Sequence, residues 1–395
     1  MSVRQLSEPI RSVVWWRDER KRGLIAQAIV LTLVVAGVSF LLTNMISNQA
    51  QLGVPLGLDF LDDIAGFPIG QSLIYYDLLS SNFDALIIGI LNTLLIGVIS
   101  IVLATTLGFL IGVMRLSSNA LIAGLAAVYI ETLRNIPLLV QILFWYNGVL
   151  QLLPGVKQSL TVADVVFVNI RGLYVPGPLA APGTTAAVLS LLLGVAMAIV
   201  VARWAKRRQD TTGRPFPRIW AGLALIFALP LMASLVAGQP VAWDYPVLQG
   251  FNFQGGLVLS PELMALWLGL SIYTAAAIAE IVRAGIQAIN RGQTEAALAL
   301  GLHSSHVLRL VIVPQAMRVI VPPLTSQFLN IVKNSTLAAF MGYPDLVAIF
   351  TSTVMNQTGR AVECIAITML FYLSVSLAIS TFMNWYNRRM ALVER

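Results

Sequence analysis

The chain has 395 residues, of which 57% are apolar and 11% charged, and its mean hydropathy is +0.81. A soluble domain holds roughly 45–50% apolar and about 25% charged residues, so water-soluble fold classes are excluded: a chain of this length could not cover so much apolar surface. The net charge of +7 does not indicate nucleic acid, because the basic residues stand at the ends of apolar runs.

Several runs free of Asp, Glu, Lys and Arg exceed the roughly 18 residues that mark a spanning helix. They are Leu24 to Leu58, Ala85 to Met114, Gly172 to Ala202, Ile219 to Trp243 and Cys364 to Asn387. The alternating pattern of a membrane barrel is absent, and helices satisfy their own backbone groups in lipid. In chain order the expected spans are 24–43, 86–114, 120–150, 186–202, 219–238, 262–284, 320–343 and 363–387. The fold class is therefore an all-α polytopic membrane protein with about eight transmembrane helices. The first run follows about 22 polar residues and is too long for a signal h-region, so it reads as a retained anchor. A single cysteine, Cys364, allows no internal disulfide.

An even number of spans puts both termini on one side, and the positive-inside rule says which. With the N-terminus in the cytoplasm, the inside segments hold Arg4, Arg11, Arg17, Arg20, Lys21, Arg22 and Arg115, then Arg203, Lys206, Arg207, Arg208, Arg214 and Arg218. Arg283, Arg291, Arg309, Arg318, Arg388, Arg389 and Arg395 complete that set. The outside segments hold only Lys157, Arg171 and Arg360. The first outside loop carries Asp59, Asp62, Asp63, Asp77 and Asp84 and no basic residue. The next, about 151–185, is rich in Pro and Gly and is expected to hold a short interfacial helix around Val162 to Ile170. Aromatic residues such as Trp145, Tyr146, Trp243, Tyr245, Trp385 and Tyr386 stand near span ends, as an interface belt does. No GxxxxGK[ST] phosphate loop is present, so ATP, if it powers this chain, binds elsewhere.

The segment Gly285 to Pro314 reads GIQAINRGQTEAALALGLHSSHVLRLVIVP. Glu295 to Leu300 suits a short helix, and Gly301 supplies a C-terminal cap where positive φ costs least. Ser304 or Ser305 can cap a second helix, which Pro314 is expected to end. Physics alone predicts a helix–Gly–helix hairpin between two spans.

This segment resembles the "EAA" loop of binding-protein-dependent ABC importer permeases: Glu-Ala-Ala, three residues, Gly, nine residues, aliphatic-x-aliphatic-Pro. Glu295, Ala296, Ala297, Gly301, Val311, Val313 and Pro314 meet it, with Val where Ile and Leu are usual. Asn92-Thr93-Leu94, Arg115-Leu116-Ser117, the run from Tyr129 to Gln141, and Val332-Lys333-Asn334-Ser335-Thr336-Leu337 look like the amino-acid branch. A leading span and an inserted pair, with Asn169-Ile170-Arg171-Gly172 and Gly250-Phe251-Asn252-Phe253, are similar to one permease of the general L-amino-acid and glutamate/glutamine/aspartate/asparagine importers.

The resemblance implies a type I importer permease fold and a division of the chain into six parts. These are 1–23, a cytoplasmic segment; 24–85, the first span with its acidic loop; and 86–150, the first part of the core. Then come 151–261, the inserted outer segments and helix pair; 262–387, the core with a coupling loop at 285–318; and 388–395, the tail. It implies a bacterial inner-membrane protein with a second homologous permease, two cytoplasmic ATPase subunits that hold ATP and Mg, and a periplasmic amino-acid-binding protein. This chain itself would bind no cofactor. Glu295, Ala296, Ala297, Gly301 and Pro314 would dock on the ATPase, which pushes the spans between alternating states.

Lys333 lies in an apolar span, where a charge costs roughly 2.5–3.5 kcal/mol on insertion scales. It either attracts a substrate carboxylate, helped by Asn334, Ser335 and Thr336, or serves in a structural ion pair or snorkels. Asn334 stands where the family often has Asp, which implies a weaker preference for cationic amino acids. Glu131 and Arg134 can pair along one helix, or Arg134 can anchor a carboxylate. Pro137 bends or breaks that helix, and Gln141 beyond it could face the pathway. Asn92 and Thr93 either line a cavity or join helices. His303 and His306 have no third ligand, so no metal is expected. An ion-coupled secondary amino-acid transporter is the main alternative; it would need carboxylates within spans and internal repeats, and only Glu131 and Glu280 come close.

Overall fold

The computed structural model describes residues 19–51, 53 and 57–390. Arg4, Arg11, Arg17 and Arg395, counted in the charge bias, lie outside the described residues. The elements run α1 (Glu19–Gln51), α2 (Asn82–Met114), α3 (Ala120–Asn135) and α4 (Leu138–Leu143), then four short strands. Those are β1 (Leu160–Val162), β2 (Val166–Asn169), β3 (Gly172–Val175) and β4 (Gly177–Ala180). Helices α5 (Thr184–Thr212) and α6 (Arg218–Ala237) follow, then β5 (Val241–Asp244), β6 (Val247–Gln249), β7 (Asn252–Gln254) and β8 (Leu257–Leu259). The chain closes with α7 (Pro261–Gln287), α8 (Arg291–Ala299), α9 (Ser304–His306), α10 (Val313–Asn334), α11 (Met355–Thr358) and α12 (Ala361–Met390). Among the described residues seven helices are long and apolar enough to cross a membrane, and eight if the bent pair Ala120–Asn135 and Leu138–Leu152 is one broken span.

Helices α2 and α7 form the central seam. Ser81 and Asp84 close a capping box on α2: the Ser81 hydroxyl accepts from the Asp84 amide at 3.2 Å, and the Asp84 carboxylate accepts from the Ser81 amide at 3.0 Å. Ser260 caps α7 ahead of Pro261 at its first turn. A Cβ at Gly108 would sit 2.6 Å from the Ile278 Cβ, and one at Gly112 2.7 Å from the Ala279 carbonyl. The two backbones can approach only because these positions have no side chain. Trp267 donates from its indole to the Ile99 carbonyl at 3.2 Å, and the Tyr129 hydroxyl ties α3 to the Ile272 carbonyl at 2.8 Å.

The loop between α1 and α2 packs on this core rather than floating over it. Phe60 and Ala65 are buried with Leu346, Phe350 and Val354, and the Asn82 amide donates to the Phe60 carbonyl at 2.8 Å. In the same loop Asp77 accepts from the Tyr75 hydroxyl at 3.1 Å and the Leu79 amide at 2.9 Å. Those donors hold its carboxyl below the usual range.

The segments on either side of α5 and α6 are β-rich, which corrects the expected helix at Val162 to Ile170. β1 pairs antiparallel with β2 in the register Leu160↔Val168 and Val162↔Val166. Ala163 and Asp164 between them have φ of 52° and 56°, so the chain reverses where a helix would need both negative. Val165, Val166, Phe167 and Val168 are β-branched and aromatic, and such residues favour a pleated strand. The sheet order is β1-β2-β3-β8, with separate pairs β4-β5 and β6-β7. Phe253 packs between Phe167 and Tyr174 with ring centroids at 4.5 and 5.0 Å, tying the two insertions together. The pair β4-β5 clasps the outer ends of α5 and α6, where the Thr184 hydroxyl donates to the Pro240 carbonyl.

Candidate functional site

Helix α8 starts at Asn290, whose side-chain oxygen accepts from the Gly292 amide at 2.8 Å. It stops where Gly301 takes φ of +80°. There the amides of Gly301 and Leu302 bond back to the carbonyls of Leu298 (2.9 Å) and Ala297 (3.2 Å), the paired bonds of a Schellman cap. Ala297 turns inward against Val307 and Ile312, while Glu295 and Ala296 face out. Gln315 donates to the Gln293 side chain at 3.3 Å and braces α8 against α10. The tip is apolar and open: Leu300 is 83% exposed and Leu298 46%.

Two expectations about this hairpin are corrected. The cap before α9 is His303, whose Nδ1 accepts from the Ser305 amide at 3.4 Å, rather than Ser304 or Ser305. Pro314 does not end the second helix, which runs unbroken from Ser304 to Phe340. A wide turn over Val307–Ile312, with the Val313 amide reaching back five residues to the Leu308 carbonyl, precedes the proline. Pro314 falls in the first turn of α10, where its missing N–H and its ring do least harm.

Further along α10 the exposed positions are Val319, Pro322, Pro323, Ser326, Asn330 and Lys333. Steps of three and four place them on one face, and the half of it farther from the hairpin is polar. Lys333 is exposed and, among the described residues, its ammonium makes no ion pair or hydrogen bond. Its polar neighbours are turned to the backbone: the Ser335 hydroxyl donates to the Val332 carbonyl at 2.8 Å and Thr336 to the Lys333 carbonyl at 2.9 Å. Asn334 is half-buried. Ser326 belongs to the same stripe and was findable from its spacing to Asn330 and Lys333.

The other sequence candidates sit elsewhere. Asn92 and Thr93 are fully buried. The Asn92 amide donates to the Gln71 and Pro344 carbonyls at 2.9 and 2.8 Å, and the Thr93 hydroxyl accepts from the Leu346 amide at 3.0 Å. Together they hold α2 against the outer loop and the segment before α11. At Pro137 the third span breaks through 106°. Gln141 lies inside that break, donating to the Leu133 and Ile136 carbonyls at 2.8 and 3.0 Å; these are acceptors the broken helix leaves without an amide. Glu131 and Arg134 form no ion pair with each other among the described residues; Glu280 and Arg283 do instead. Arg115, Glu131, Arg134, Glu280 and Arg283 line a cavity of about 280 Å³. Among the described residues no group of three His, Cys, Asp or Glu is placed to hold a metal.

Comparison with known proteins settles the family. Residues 190–392 match the profile of the binding-protein-dependent transport system inner membrane component. The chain belongs to that family. The permease is 48% identical over 378 residues to the general L-amino acid transport system permease protein AapQ of Rhizobium johnstonii, covering 96% of this chain and 94% of that one. It is 50% identical over 375 residues to an Escherichia coli permease protein, YhdX, covering 95% of each. It is 42% identical over 409 residues to the glutamate/glutamine/aspartate/asparagine transport system permease protein BztB of Rhodobacter capsulatus, covering 96% of each. It is thus an inner-membrane translocation component rather than an enzyme.

Proposed function

We propose that this permease is one of two membrane subunits of an ATP-driven importer of polar L-amino acids. The names of AapQ and BztB support the substrate class. A periplasmic binding protein delivers the amino acid, and two cytoplasmic ATPases supply the work, holding ATP and Mg on their own chains. The second permease is a homologue, and both termini of this chain are cytoplasmic.

One observation carries the coupling: the Arg291–Ala299 helix presents an open apolar tip, Leu298 and Leu300, from a hairpin braced to α10. An apolar patch of this kind on a helix outside the spans is a docking surface. A push on Glu295, Ala296 and Leu300 passes through Ala297 and the Gly301 cap to Val307, Ile312 and Pro314, and so into α10. That helix carries the Ser326–Asn330–Lys333 face. A cation and two hydrogen-bonding side chains on an apolar span suit the carboxylate and amino groups of a passing amino acid. Asn334 stands beside that face and Arg134 lines the separate cavity with Glu131 and Glu280, while Ser335, Thr336, Asn92, Thr93 and Gln141 brace the surrounding backbone.

The test is cross-linking from Leu300→Cys in the intact transporter. Adducts with a nucleotide-hydrolysing subunit support the reading; adducts reachable from outside the cell refute it. Depleting ATP while ion gradients are held separates the ion-coupled alternative: uptake then persists only if that alternative is right.

A further inference from the structure

We propose that the inner turn of the α5–α6 hairpin binds the phosphate headgroup of an anionic phospholipid. The proposal rests on the reading that both helices cross the bilayer. Apart from each other, they have little to hold them. Among the described residues α5 buries only Gly194 and Ala205, and α6 only Gly222. Gly194 marks a close crossing, since a Cβ there would sit 2.8 Å from the Leu225 carbonyl. Away from that seam the pair exposes apolar side chains all round, including Leu192, Val200, Phe227 and Leu235, as a lipid-facing helix does.

The geometry then places the charge. The β4-β5 ribbon fixes both outer ends at one level. Arg203 lies 19 residues beyond Thr184, or about 28 Å at 1.5 Å per residue, close to the roughly 30 Å hydrocarbon thickness. Helix α6, 20 residues long, spans about 30 Å and puts Arg218 at the same depth. Arg203 and Arg218 therefore reach the phosphate layer of one leaflet, and Lys206, Arg207, Arg208 and Arg214 follow on the water side of it in the same turn, all six exposed, against one carboxylate, Asp210. Among the described residues none of the six is ion-paired. Trp204 stacks edge-on with Phe216 at 5.4 Å, and Arg208 lies 5.4 Å from the Trp204 ring. Aromatic rings at this depth are interfacial anchors, and guanidinium forks match phosphate oxygens. Ordinary positive-inside bias needs neither this density nor this folded turn.

The experiment uses the complete transporter, stripped of lipid in detergent and titrated with phosphatidylglycerol or phosphatidylcholine, with bound lipid counted by native mass spectrometry. Each cation beside an anionic surface contributes roughly fivefold in affinity. The combined variant Arg207→Gln, Arg208→Gln, Arg214→Gln is thus expected to bind phosphatidylglycerol about a hundredfold more weakly. The matching triple Arg→Lys variant retains it, and salt weakens it in the wild type. Equal phosphatidylglycerol binding by wild type and glutamine variant overturns the proposal. So does equal affinity of the wild type for the two lipids, or loss of ATPase binding with lipid binding intact. If the glutamine variant does not assemble, a wild-type lipid preference that is indifferent to salt overturns it. Labelling of Thr212→Cys from each side of the membrane tests the crossing separately.

Discussion

Lys333 is the residue on which the substrate reading turns. An exposed, unpaired lysine on a span sheds its cost only if water or a charged ligand reaches it. Losing one charge-assisted contact to the substrate is worth about 1.5–3 kcal/mol, so Lys333→Ala is expected to lower kcat/KM for uptake by roughly 10–150-fold. The ATPase should co-purify in unchanged ratio; loss of assembly would favour a structural role. Gly301 is exposed to a different strain. No atom lies within 4 Å of where its Cβ would be, so φ of +80° alone forbids a side chain. A non-glycine residue there costs about 1–2 kcal/mol and tilts the hairpin. Gly301→Trp should insert normally yet leave its ATPase partners hydrolysing ATP without uptake; an unaltered ratio of hydrolysis to transport in proteoliposomes would count against the coupling role. Gln141 satisfies two carbonyls of the broken span. Gln141→Leu strips them both, at about 1–3 kcal/mol, and a lowered melting temperature of the purified transporter checks it.

At the scale of elements, the seam between α2 and α7 and the continuity of α10 matter most. The seam depends on missing side chains, so Gly112→Leu must push α7 away or bend. Overpacking of this kind costs about 1–3 kcal/mol, and reduced yield of folded protein in detergent, with normal membrane insertion before extraction, is the expected outcome. The helix from Ser304 to Phe340 is one lever because its wide turn takes up Pro314 without a break. That outcome was not legible from the residue type. Proline stops a helix when an amide and a carbonyl are already committed at its site, and here the preceding turn had shifted by one residue. The reversal at Ala163 and Asp164 was hidden likewise, since Ala seldom takes the left-handed region and the sheet is completed by β8, far along the chain.

Across the whole molecule, transport should stop when ATP is removed at constant ion gradients, the outcome expected if the motor is a separate chain. The apolar runs and the Glu295–Pro314 spacing were enough to indicate a helical membrane protein and its hairpin. Those properties follow from transfer free energies and local backbone preference, which each segment expresses without its neighbours. Which polar side chains face open space could not be read that way. Asn92, Thr93 and Gln141 look as available as Lys333 in a string of letters, yet Asn92 and Gln141 are closed on carbonyls from Gln71, Pro344, Leu133 and Ile136, and Thr93 on the Leu346 amide. Such partners are assigned by packing between distant segments, and that packing also left the α10 face open and the α5–α6 pair standing on its own.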